Sequence, residues 1–214
     1  MTFTTNLMEE TLALATKIEE KVRLFHAKVE DMAFFNQQKV LAAFRKHQVS
    51  DYHLHPSNGY GYDDEGRDNL ERVYAEVFGA EAAIVRPQII SGTHAITLSL
   101  FGVLRPGDEL LYISGQPYDT LQSIVDGGDK DTGSLKDYKI GYSHVDLINN
   151  QEIDWEGVAA AITPNTKMIA IQRSKGYATR PSFTVSQIAE MCAKIRELAP
   201  NAVIFVDNCY GEFV

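Results

Sequence analysis

Cysteine is scarce. The 214 residues hold two, Cys192 and Cys209, with no CxxC pair, which excludes a disulfide framework and a zinc knuckle. Such usage suits a reducing compartment, so a cytoplasmic location is expected. Basic residues are also in short supply: 20 Lys and Arg stand against 29 Asp and Glu, a net charge of -9. That balance argues against gripping nucleic acid or an anionic membrane, yet leaves room for one local anion site. No apolar run approaches the about 18 residues of a membrane span. The start of the chain lacks the basic and apolar regions of a secretory signal, so no leader is expected. Neither Gly nor Pro occurs before Pro56. What remains is ordinary for a globular protein, with 44% hydrophobic and 23% charged residues, and is long enough to bury a core.

Residues 6 to about 47 are expected to be helical, as one long helix or two separated near Asp31. Ile18, Val22, Phe25, Val29 and Met32 recur at steps of four and three, one face of a helix. That face reads as ordinary packing or as an arm against a partner subunit. Residues 50–68 are rich in turn formers and aromatics and read as a long loop. Beyond them short apolar segments alternate with helical ones. Strands are expected at Ala82–Arg86, Glu109–Ile113, Tyr138–Val145, Met168–Gln172 and Ala202–Asp207. Helices are expected at Asn69–Phe78, Ser91–Val103, Asp119–Val125, Asp154–Ile162 and Thr184–Leu198. This alternation means βαβ units, hence an α/β fold: a three-layer, mostly parallel sheet with helices on both faces, preceded by an N-terminal helical arm. The expected division is an arm over 1–50 and an α/β domain over 51–214.

Ligands of open α/β sheets bind beyond the carboxyl ends of the strands. Three segments fall there. Ser91-Gly92-Thr93 opens a helix after a strand, where free N–H groups and the helix dipole favour an anion; a plain N-cap would use the same residues. Tyr118 opens another helix after a strand, where its ring could stack on a flat ligand or simply pack on a loop. Asp207 ends an apolar strand, where a carboxylate needs a cationic partner, a metal or a capping role. Together they suit a flat heteroaromatic ring with a phosphate on one side and a basic nitrogen on the other. Pyridoxal 5′-phosphate is such a ligand.

The ordered set Ser91-Gly92-Thr93-His94-Ala95, Leu104-Arg105-Pro106-Gly107-Asp108-Glu109, Pro117-Tyr118-Asp119-Thr120 and Val206-Asp207-Asn208 resembles fold type I pyridoxal-phosphate enzymes of the cystathionine β-lyase and methionine γ-lyase group. The segments Gln172-Arg173-Ser174-Lys175-Gly176-Tyr177, Arg180-Pro181-Ser182 and His55-Pro56-Ser57-Asn58-Gly59-Tyr60-Gly61-Tyr62 are more narrowly similar to the lyase-like aluminium-resistance proteins. The resemblance implies a major domain of the PLP-dependent transferase type. It puts Ser91, Gly92 and Thr93 at the phosphate, Tyr118 on the pyridine ring and Asp207 at the pyridine nitrogen. Tyr60 and Tyr62 fall where the lyases carry a Tyr-x-Arg pair that reaches a neighbouring subunit's phosphate. Here the run is Tyr-Gly-Tyr, with Arg67 as a substitute for the arginine. Arg173 and Ser174 would lie beside the cofactor.

The same resemblance implies a Schiff-base lysine downstream of the aspartate, and no lysine follows Asp207. Lys175 precedes Asp207 after a different strand and reads as a loop residue. The chain is therefore expected to be the N-terminal part of a larger lyase, inactive alone. The full protein would act on a small sulfur-containing amino acid as a homodimer or homotetramer, without nucleic acid or membrane. An aminotransferase or aldolase of the same fold is an alternative. A metal hydrolase using His53 and His55, with His94, His144 and nearby acids, is another; a non-catalytic fragment is a third.

Overall fold

The computed structural model describes residues 9–57, 62, 64–127 and 133–213. They divide into two compact units, residues 1–86 with 213–214 and residues 87–212. The arm expected to end at residue 50 thus falls inside the first unit. Among the described residues no helix is long and apolar enough to cross a membrane.

The first unit is helical. α1 (Glu9–Lys46) runs unbroken for 38 residues, as a stretch without Gly or Pro allows, and closes with Arg45 and Lys46 against its negative dipole end. Its expected apolar face is largely exposed: Phe25 and Val29 are more than half accessible. Burial is confined to the C-terminal end, where Ala43 joins Val73 and Val77 of α2 (Glu65–Phe78). Asn69 ties the two helices, its Nδ2 donating to His47 O at 3.0 Å. A 3-10 turn over Asp51–Leu54 interrupts the expected loop. α2 begins at the Asp64 cap and ends at Gly79, whose φ of +62° gives the left-handed C-cap that glycine adopts without strain.

Residues 82–86 do not form the expected strand. They are irregular, and Ile84 is exposed. Their polar groups turn to a side chain instead: Val85 N and Arg86 Nε donate to Glu71 Oε1 at 3.2 and 2.8 Å. A short apolar run becomes a strand only beside another strand, and none of the described strands pairs with it.

The second unit is the α/β layer. β1 (Glu109–Tyr112), β2 (Gly141–His144), β3 (Thr166–Gln172) and β4 (Val203–Asp207) make a wholly parallel sheet in the order β2-β1-β3-β4. Side chains alternate across it. Leu111, Ile113, Ile169 and Ile171 meet Val158 of α5 (Trp155–Ala161) and Met191 and Ile195 of α6 (Val185–Leu198). On the other face Leu110, Tyr112, Met168 and Ala170 meet Leu100 of α3 (Gly92–Val103) and Val125 of α4 (Asp119–Val125). Both faces are covered, as a parallel sheet requires. β2 is shorter than expected, because Tyr138 and Lys139 lie in a turn, with Lys139 at φ +58°.

Thr184 caps α6 as expected, in a capping box: its Oγ1 accepts from Gln187 N at 3.2 Å while Gln187 Oε1 accepts from Thr184 N at 2.8 Å. Thr184→Ala should cost about 1 kcal/mol, read as a lower urea midpoint. An unchanged midpoint would show that the helix start needs no cap.

Candidate functional site

The chain leaves β1 toward β2 at one edge and leaves β3 toward β4 at the other. The carboxyl ends of β1 and β3 therefore form the switch point of the sheet, where ligands enter such folds. α3 connects through residues 104–108 into the start of β1, so its N-terminus lies at that same edge.

Two candidate residues, Asp207 and Tyr118, share one face there. Phe205 packs with the α3–α4 core, so Asp207, two residues on, projects to the same side. Tyr112, in that core, feels the Asp207 charge, and Tyr118 is the N-cap of α4 on that face. At α3, Ser91 Oγ accepts from His94 N at 3.1 Å and is spent as the helix cap. The N–H groups of Gly92 and Thr93 have no intrahelical acceptor, and a Cβ added at Gly92 would meet nothing within 4 Å. An anion can approach this backbone closely.

Asp207 is half-buried. Its Oδ1 accepts from Cys209 N at 3.2 Å, and burial pushes its carboxyl above the ordinary carboxylate range. A cation placed against it would offset that desolvation. Beside it, the Tyr112 hydroxyl is buried and without a hydrogen-bond partner, and burial followed by the Asp207 charge drives its pKa upward. Tyr112→Phe should raise stability by about 1 kcal/mol, since it deletes an unsatisfied polar group. A lower unfolding midpoint in the variant would contradict this.

Arg173 serves the scaffold. Its Nε donates to Phe183 O at 3.0 Å, and one terminal nitrogen donates to Asn208 Oδ1 at 2.8 Å and Gly211 O at 2.5 Å. Ser174 contributes its carbonyl, which accepts from Gln172 Nε2 at 3.0 Å and Arg180 at 2.6 Å. Lys175 is exposed, its backbone N–H donating to Ser182 Oγ at 3.3 Å. In the first unit Tyr62 is 82% exposed, and Tyr60 lies outside the described residues. Arg67 pairs with Asp68 at 2.7 Å. His53 Nδ1 accepts from Ser50 N at 3.0 Å, and His55 lies 3.6 Å from Asp51. Among the described residues no three His, Cys, Asp or Glu side chains gather as a metal site.

Two residues without an assigned role in the sequence reading organise this edge. Gln172 and Arg180 are buried. Gln172 Oε1 accepts from Tyr118 N at 2.7 Å, which joins the β1 and β3 ends. The sequence signal for Gln172 is a polar residue closing the apolar run of β3; for Arg180 it is the Arg180-Pro181-Ser182 segment alone.

A helix start open to an anion, an aromatic ring and a half-buried carboxylate thus lie on one side of the parallel sheet. The sequence pattern of the methionine gamma-lyase family matches residues 11–214, and the chain belongs to that family. It is similar to the uncharacterised protein YnbB of Bacillus subtilis, at 59% identity over 201 residues, covering 94% of this chain and 48% of that protein. A crystal structure of a proposed cystathionine beta-lyase involved in aluminium resistance, from Listeria innocua, superposes with a TM-score of 0.93 at 58% identity, covering 96% of this chain and 50% of that one. The L-methionine gamma-lyase of Pseudomonas putida is 28% identical over 141 residues, 66% of this chain and 30% of that enzyme. The chain thus spans about half the length of YnbB and of the Listeria protein.

Proposed function

We propose that these residues form the cofactor-binding part of a pyridoxal-phosphate-dependent carbon–sulfur lyase acting on a small sulfur-containing amino acid. The half-buried Asp207 carboxylate, on the same sheet face as Tyr118 and the start of α3, carries the reading. Gly92 and Thr93 hold the phosphate with their N–H groups. Tyr118 supports the ring, and Asp207 keeps the pyridine nitrogen protonated. The bound group supplies an electron sink for charge developing at the substrate Cα. The chain's own part is to orient that ring and to stabilise its positive nitrogen.

Family membership supports the lyase class, and the names of the Listeria and Pseudomonas relatives support sulfur chemistry. The reading includes a homodimer or homotetramer in the cytoplasm, in keeping with the exposed apolar side chains of α1. It assigns the reactive lysine to a position after Asp207, and no lysine lies among residues 208–214. Incubation of the full-length protein with cystathionine or methionine should release a thiol, a 2-oxo acid and ammonia. Amino-group transfer to an added 2-oxo acid without thiol release would replace the lyase with an aminotransferase. On the 214-residue chain, a borohydride-fixed pyridoxyl adduct at Lys175 would overturn the assignment of the lysine.

A further inference from the structure

The loop after β3 is anchored at its base. Gln172 spans from Tyr118 N, at 2.7 Å, to Ser174 O, at 3.0 Å. Arg180 grips the carbonyls of Gln172 and Ser174 at 2.8 and 2.6 Å. The part so presented is Gly176-Tyr177. Gly176 has φ +55°, and a Cβ there would come within 2.9 Å of Tyr118 Cδ2 and 3.2 Å of Cε2. The backbone therefore lies directly against the Tyr118 ring, closer than any side chain permits. The next residue sets its own ring 5.8 Å from that of Tyr118, with 32° between the planes. Tyr177 is 87% exposed, so burial in the core does not hold it there.

We propose that Tyr177, backed by Gly176, is a positioning residue for Tyr118: it limits the turning of the Tyr118 ring. The proposal rests on reading Tyr118 as the residue that stacks on the cofactor ring. A phenol on a loop can turn about both side-chain torsions, which costs ordering entropy when a ligand stacks on it. Contact with Gly176 and Tyr177 removes much of that freedom beforehand. The hydroxyl is set by the same neighbour. Hydrogen bonding to Tyr177, then burial, the Tyr177 phenol itself, Asp119 and Tyr210 push the Tyr118 pKa up to about 12.

The test uses the full chain without cofactor, carrying 13C-labelled tyrosine, with the Tyr118 resonance assigned through Tyr118→Phe. In the parent, Tyr118 should remain protonated to about pH 11. In Tyr177→Phe, which keeps the ring and deletes the hydroxyl, its titration should return toward the ordinary 10.0. The same Tyr118 titration in both proteins, or ordinary titration in the parent, would overturn the proposal. Gly176→Ala should shift the Tyr118 resonance at neutral pH; if that variant does not fold, the Tyr177→Phe arm decides alone. No cofactor enters the measurement, so failure of the lyase reading would leave its outcome unchanged.

Discussion

Asp207→Asn is expected to lower turnover of the full-length enzyme by about 100-fold or more, and to weaken pyridoxal phosphate binding with it. The asparagine keeps the shape of the side chain and an oxygen for the Cys209 N–H, now accepted at 3.2 Å. It loses the charge that would hold the pyridine nitrogen protonated. The ligand-free chain should respond in the opposite sense. Burial raises the Asp207 pKa above its ordinary 3.8. The folded state therefore binds this proton more tightly than the unfolded state. The stability contributed by Asp207 is then full below the ordinary value and is lost as pH rises through the raised one. At neutral pH the ionised carboxylate costs stability, and the asparagine should relieve that cost. Chemical unfolding of the ligand-free variant should show a midpoint at or above the parent's. A variant that loses both activity and ligand-free stability would make Asp207 a structural residue rather than a ligand contact.

Arg180→Ala should be the most destabilising single change at this edge, at about 3 kcal/mol. Arg180 is 5% exposed. Its guanidinium donates to Gln172 O at 2.8 Å, Ser174 O at 2.6 Å and Pro181 O at 2.9 Å, and lies 4.9 Å from the centre of the Phe183 ring. Truncation leaves those three carbonyls without this donor and opens a gap against Phe183. The damage should spread to the site, because Gln172 sets the backbone of Tyr118. Arg180→Lys should recover only part of the loss, since an ammonium cannot span three carbonyls as the planar fork does. The urea midpoint measures this directly. A change below about 0.5 kcal/mol would show that water replaces the guanidinium without penalty.

The sheet was largely legible because its central strands are buried and helices cover both of its faces. Met168–Gln172 and Ala202–Asp207 read as continuous apolar runs, the pattern such strands must have. Gly79 and Thr184 marked helix ends because their conformational and hydrogen-bonding preferences are local. Ala82–Arg86 misled for the converse reason: its composition suits a strand, but pairing is decided by a distant segment. The apolar stripe of α1 was readable as periodicity, not as burial, and most of it stays exposed.

Of the candidate site, the order of the strand-end segments was readable and the wiring between them was not. Asp207 stood out because a carboxylate ending a buried strand needs a reason. Ser91, by contrast, spends its hydroxyl on the α3 cap, the role any serine there could take. Arg173 resembled a cofactor contact by position, yet its guanidinium stitches residues 183, 208 and 211 together. The bridge from Gln172 to Tyr118 joins residues 54 apart in the chain, and no short-range pattern announces such a contact.

The cofactor content of the purified full-length protein decides whether this sheet edge holds pyridoxal phosphate. Close to one pyridoxal phosphate per chain is expected, seen as visible absorbance that borohydride abolishes, and it should be lost in Asp207→Asn. A colourless protein that takes up no pyridoxal phosphate and retains stoichiometric zinc would contradict it.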